Sequence, residues 1–203
     1  MSVPSEHPVG KPDDIPYHTA PGPVIDLGSG SDPDSRATHT ADIRAVDGVD
    51  VKFSLLQDGW PFPDDGVHGL ILNHVVEHFT REELTHVFRE AGRVLEPGGW
   101  LSFAVPLGAN YRTDRDHEPP AWTWDTPETL SRDHRRGWDP DVPFRLIDRE
   151  VRMWAVQPFG FLTPAFRAGQ RVLEDGLWST ELANAPLMAG ELTATYRRVN
   201  QES

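Results

Sequence analysis

The 203-residue sequence predicts an α/β domain built on a parallel sheet. Three observations carry this. Strand and helix signals alternate from residue 24 to about residue 107. The apolar run Val24-Ile25-Asp26-Leu27 enters a Gly28-Ser29-Gly30 turn, the mark of a buried strand feeding a loop without side-chain bulk. A capped amphipathic helix ends at Pro97-Gly98-Gly99 and is followed at once by another strand.

The elements follow in order. Residues 1–20 hold Pro4, Pro8, Pro12 and Pro16 among several charges and read as an extended arm with no core of its own. Residues 21–203 then make a single domain, long enough to bury a substantial core. Strand one is Val24–Leu27, and a second is expected near His39–Ile43. Only about ten residues separate Gly28 from that second strand, whereas a parallel crossover normally takes a dozen or more. Residues 31–38 therefore make an abbreviated crossover with at most one turn of helix. Residues 58–65 form a proline-rich turn, and 69–73 a buried strand. Thr80-Arg81-Glu82-Glu83 is a capping box, because the Thr80 hydroxyl can accept the Glu83 amide while Glu83 reaches back. Leu84, Val87, Phe88, Ala91, Val94 and Leu95 give the helix it opens one apolar face. Strand 100–106 follows, then a charged, proline-rich loop over 107–124. Thr126-Pro127 places proline at the first position of a short helix running to about Asp133. Residues 145–156 and 191–199 read as the last strands. Between them 159–190 is an insertion with helical stretches, suited to build a binding surface or cover a sheet edge.

Composition narrows the function. The net charge is −13, from 32 acids against 19 bases, and all the bases except Lys11 and Lys52 are arginines. Such a surface repels phosphate backbones and anionic membranes, so charge argues against nucleic acid as a partner. Few lysines beside many acids read as adaptation to salt, which screens the self-repulsion. Cysteine is absent, excluding disulfides and thiolate metal sites. No apolar run approaches the roughly 20 residues of a membrane span. The first residues lack a basic region followed by an apolar stretch, so a cytoplasmic location is the expectation.

Four blocks in order resemble the class I S-adenosylmethionine-dependent methyltransferases, in particular the small type 11 group. They are VIDLGSGS at 24–31, Asp42 at the end of the second strand, PFPDDGVHGLILNHVVEHF at 61–79 and GRVLEPGGWLSFAVP at 92–106. The likeness covers roughly residues 22–135. It implies a Rossmann-like, mostly parallel sheet flanked by helices, with an antiparallel C-terminal strand. It also implies S-adenosylmethionine as cofactor and methyl transfer to an acceptor that the residues do not identify. In this reading Gly28, Ser29 and Gly30 let the backbone approach the cofactor's tail and ribose. Asp26 orients the loop and faces the ammonium group. Asp42 accepts from the ribose hydroxyls, as an acid does in dinucleotide folds. Ile43 follows it, and Leu55, Leu56 and Gln57 fall where the family holds the adenine. Asn73, His74 and Val75 end the fourth strand beside the cofactor.

The departures are equally definite. Asp32 stands where the family often has a third glycine, and Leu55 where it often has an acid that reads the adenine amine. That leaves a backbone contact or Gln57 as the reader. Tyr111, Asp116 and His117 are candidate acceptor contacts in the 107–124 loop, and His117 serves equally well as a structural loop residue. His74 and His78 are spaced i, i+4, but no acid at third-ligand spacing accompanies them, so no metal is expected. A binding or scaffold protein on the same fold is the alternative to an enzyme. Pro33, where a dinucleotide fingerprint needs glycine, argues against a nicotinamide oxidoreductase.

Overall fold

The computed structural model describes residue 15 and residues 21–118, 121–134, 136–156, 160–165, 167–168 and 188–200. The insertion at 159–190 and the arm at 1–20 lie largely outside them, though Ile15 is buried in the core.

Seven strands make one sheet: β1 (Val24–Leu27), β2 (His39–Asp42), β3 (Val51–Lys52), β4 (Val67–Asn73), β5 (Leu95–Gly108), β6 (Phe144–Ala155) and β7 (Met188–Arg198). Their order is β3-β2-β1-β4-β5-β7-β6. The pairings from β3 to β5 are parallel, and β7 runs antiparallel to both β5 and β6. The mostly parallel sheet with an antiparallel C-terminal strand is therefore present. So is the abbreviated crossover: residues 28–38 join β1 to β2 through turns, with no helix. The two-residue β3 carries no period of its own and exists through its pairing of Val51 with Ala41 and Lys52 with Asp42.

Helix α1 (Arg81–Val94) starts where the sequence places it. The Thr80 hydroxyl accepts from the Glu83 amide, and the Glu83 carboxylate accepts from the Thr80 amide at 2.9 Å. The Pro97-Gly98-Gly99 turn is a bulge within β5 rather than a break before it. Val67 pairs with Leu95 and Gly69 with Trp100, so residues 96–99 loop out between two rungs of the ladder. The expected 107–124 loop opens with the short helix α2 (Ala109–Thr113). The helix expected to reach Asp133 is two 3-10 turns, Thr126–Leu130 and Arg132–His134.

The core lies on one face of the sheet. Register puts Ile25 and Leu70, Leu70 and Leu101, Leu72 and Phe103, and Leu101 and Tyr196 side by side on that face. All are buried. Phe88 of α1 meets Phe103, Phe144 and Tyr196 edge-on, with ring centroids 5.6–6.4 Å apart. The buried Tyr196 hydroxyl donates to the Pro127 carbonyl at 2.8 Å. The sheet ends in two unlike edges among the described residues: the two-residue β3, and the twelve-residue β6 with Arg145, Asp148, Arg149, Glu150 and Arg152 along it.

Phe88→Ala should cost about 3–5 kcal/mol of stability, the penalty for deleting a fully buried aromatic whose neighbours collapse only partly. Denaturant unfolding followed by tryptophan fluorescence measures it.

Candidate functional site

The sheet order reverses between β1 and β4, and the crevice outside the carboxyl ends of strands at such a point is where open α/β sheets hold ligands. A cleft of about 260 Å³ lies there, lined by Gly28, Ala41, Asp42, Ile43, Arg44, Phe53, Ser54, Leu55 and Leu56 on one side and His74, Val75, His78 and Phe79 on the other.

The glycine turn meets it at Gly28. Gly28 has φ +77°, and a Cβ there would lie 2.5 Å from Val75 Cγ2. Its position requires glycine on both backbone and packing grounds. Gly30 also has positive φ, +57°. With no helix in this crossover, the backbone donors need other partners. The Gly28 and Ser29 amides both donate to the Ala41 carbonyl, at 2.7 and 3.2 Å. The Gly30 amide donates to Asp42 Oδ2 at 2.9 Å, and the Asp34 amide to Asp26 Oδ2 at 2.8 Å.

Of the residues the sequence singles out, Gly28, Asp42, Ile43, Leu56, His74 and Val75 line the cleft. Asp26, Ser29, Gly30 and Asn73 sit beside it. Asp26 and Asn73 are spent on the crossover loop: Asn73 Nδ2 donates to Asp34 Oδ2 at 3.0 Å. Gln57 is outside the lining, and its amide nitrogen donates to the Gly59 carbonyl at 3.1 Å. Tyr111 and His117 pack on each other, ring centroids 5.0 Å apart. The Tyr111 hydroxyl donates to the Glu118 carbonyl, so the pair closes the 111–118 loop. The sequence gives no prominence to Arg44, Phe53 and Ser54, yet they line the cleft. Asp34 is the other residue it passes over. Its one local signal is the Asp-x-Arg spacing, through which Asp34 Oδ1 accepts from the Arg36 amide at 2.9 Å.

Electrostatics separates the acids. Burial raises the Asp26 carboxyl above its ordinary range, opposed by the Asp34 amide that it accepts. Burial pushes Asp42 the same way, but the Arg44 side chain and the Arg44 and Gly30 amides outweigh it and hold the group low. Arg44 Nε lies 3.1 Å from Asp42 Oδ1. The Arg36 guanidinium holds Asp34 well below the usual carboxylate range. His74 is pushed up to about 9, first by Glu191, whose Oε2 lies 3.1 Å from His74 Nε2, and then by Glu77. It is an imidazolium at neutral pH. Its φ of +56° is uncommon outside glycine, and the His74 amide donates to the Ala104 carbonyl at 2.8 Å.

Known proteins share this architecture. Residues 29–103 match the family described as the methyltransferase domain. No curated protein sequence matches the chain. A S-adenosylmethionine-dependent methyltransferase from Archaeoglobus fulgidus superposes with a TM-score of 0.54 at 14% identity, over 86% of this chain and 85% of that one. The YcgJ protein from Bacillus subtilis gives 0.53 at 14% identity, over 87% and 92%. Phosphoethanolamine N-methyltransferase 2 from Haemonchus contortus, solved with phosphomonomethylethanolamine and S-adenosylhomocysteine, gives 0.52 at 13%, over 96% of this chain and 51% of that one.

Asp34→Ala should destabilise the protein by about 1–3 kcal/mol, because it strips charge-assisted partners from Asn73 and Arg36. The folded state holds Asp34 low, so its contribution is present above the ordinary value of 3.8 and is lost as pH falls toward the lowered one. The difference between variant and parent in urea unfolding should therefore be full at neutral pH and shrink on acidification.

Residues 29–103 thus match the methyltransferase-domain family, and the chain as a whole has the fold of the solved S-adenosylmethionine-dependent methyltransferases.

Proposed function

We propose that the chain binds S-adenosylmethionine in the cleft between β1, β2 and β4 and transfers its methyl group to an acceptor. One observation carries the reading: a glycine turn at positive φ, an ionised Asp42 and two exposed apolar side chains converge on the cleft at the topological switch point. Ile43 is 63% and Leu56 41% exposed, and both border the cleft. Isolated apolar exposure needs no explanation, but paired at a cleft it suits a flat, apolar ring. Asp42 suits the ribose diol, which would share its oxygens with Arg44 and Gly30. The glycine turn suits the amino-acid tail. The pieces of the cofactor thus match the pieces of the cleft.

The cofactor supplies a methyl group already activated for displacement. The protein's task is then to bind, orient and exclude water, and positioning alone supplies much of the acceleration in such reactions. His74 is held as a cation by Glu191 and Glu77, which makes it a positioning group at the cleft edge and unsuited to take a proton at neutral pH. The acceptor is a small molecule, lipid head group, glycan or protein. A second reading is a non-catalytic binding protein on this fold. It draws on Gln57, whose side chain is committed to Gly59 and leaves the adenine amine without a side-chain reader.

Isothermal titration with S-adenosylmethionine and S-adenosylhomocysteine tests the first reading; absence of heat at millimolar ligand sinks it. Asp42→Ala should weaken binding by about 1–3 kcal/mol, roughly 5- to 150-fold. Cofactor binding without transfer to any acceptor class would favour the second reading. We also read the acidic, arginine-based surface as adapted to salt. The melting temperature should then rise steadily as potassium chloride is added beyond the range where simple screening saturates. A flat response would remove that reading.

A further inference from the structure

Beneath the cleft the fold buries a carboxylate and gives it no hydrogen-bond partner. Glu77 lies in the 3-10 turn Val76–His78 that follows β4, is 1% exposed, and neither of its carboxylate oxygens is hydrogen-bonded. Its Oε1 is 3.6 Å from His74 Nδ1 and 3.9 Å from His117 Nε2. Both separations are too long for hydrogen bonds. The His74 imidazolium offsets part of the charge, but both oxygens lack the hydrogen bonds that buried carboxylates normally have.

Two imidazoles beside it are prepared in the manner of metal ligands. His117 Nδ1 lies 3.0 Å from the Tyr111 carbonyl oxygen, and His78 Nδ1 lies 3.2 Å from that of Asp116. A carbonyl only accepts, so each ring donates Nδ1–H and, when neutral, keeps its lone pair on Nε2. Metal-bound histidines are oriented by this kind of outer contact. One ligand atom from each of Glu77, His78 and His117 lies within 4.8 Å of the other two. Asp114 Oδ2, 3.8 Å from His117 Nε2, stands at the same corner. The two rings come from separate elements, the turn after β4 and the loop after α2, and sit 4.9 Å apart.

We propose that Glu77, His78 and His117 bind a divalent transition-metal ion at the cleft wall. Two imidazoles and one carboxylate suit zinc, manganese, ferrous iron or cobalt; magnesium and calcium prefer an all-oxygen set. Bonds of about 2.0–2.2 Å require the three groups to draw in by roughly an ångström. The exposed His78, which also lines the cleft, provides the route of entry. Three protein ligands leave coordination positions open to an oxygen of a molecule in the cleft. The ion site stands on its own residues and does not depend on methyl transfer.

Cobalt(II) is the probe. The full-length protein, stripped with a chelator and free of S-adenosylmethionine, is titrated while visible absorption and the melting temperature are followed. The expected result is saturable d–d absorption and a melting temperature that climbs with cobalt. Glu77→Gln and His117→Ala should each weaken cobalt binding by about 10- to 100-fold or more. Glu77→Gln keeps the shape of the side chain while removing its charge, so a cooperative metal-free unfolding transition in that variant separates a lost ligand from a lost fold. No cobalt absorption, or binding unchanged in both variants, overturns the proposal. Failure here would leave the reading of the cofactor cleft untouched, since calorimetry with S-adenosylmethionine tests that one separately.

Discussion

The cleft depends on how a crossover without a helix satisfies its own backbone. A helix settles its N–H groups internally, whereas the turns from residue 28 to 38 cannot. The chain meets this constraint with carboxylates at strand ends. Asp42 at the end of β2 takes the Gly30 amide and Asp26 in β1 takes the Asp34 amide. Asp34 in turn receives Asn73 from the end of β4. Three neighbouring strands are thereby tied to one loop, and the glycine turn is held where a ligand would rest on it.

This arrangement explains which parts of the protein were legible in the sequence. Val24–Leu27, the α1 capping box and the strands flanking it follow from local pattern and stand where they were expected. Elements fixed by pairing rather than by pattern were not legible. The two residues of β3 show no alternation, and the Pro97-Gly98-Gly99 turn, a stop signal by composition, is tolerated because a bulge carries it out of the ladder. The 126–134 segment turns as 3-10 helix around Pro127, with its 3-10 turns too short to be told from a helix by sequence period.

The site divides in the same way. Gly28, Asp42, Ile43, Leu56, His74 and Val75 sit at or next to strand ends, so their position followed once the strands did. Gln57 lies in a turn whose geometry no period fixes, and its side chain goes to a local carbonyl instead. Glu77 is a further case. In sequence it is one acid between Val76 and His78; its burial beside His74 and His117 is something only the assembled fold reveals. The same holds for His117, forty positions from the turn it faces and brought there by α2 and the loop after it.

The two edges of the sheet have a consequence for behaviour in concentrated solution. Open strand edges invite pairing with another chain. At one edge β3 offers only two residues, too few to template a partner. The long β6 edge is defended differently. A register irregularity between Leu146 and Asp148 breaks its regularity, the Leu146 amide is taken by the Ser131 hydroxyl at 3.1 Å, and the Ala155 amide by the Thr163 hydroxyl at 3.1 Å. Arginines and acids fill much of the strand between. An incoming strand would meet capped amides, a kink and a need to desolvate charge. Among the described residues the sheet border is thus a poor template for strand addition, for reasons separate from the repulsion supplied by net charge.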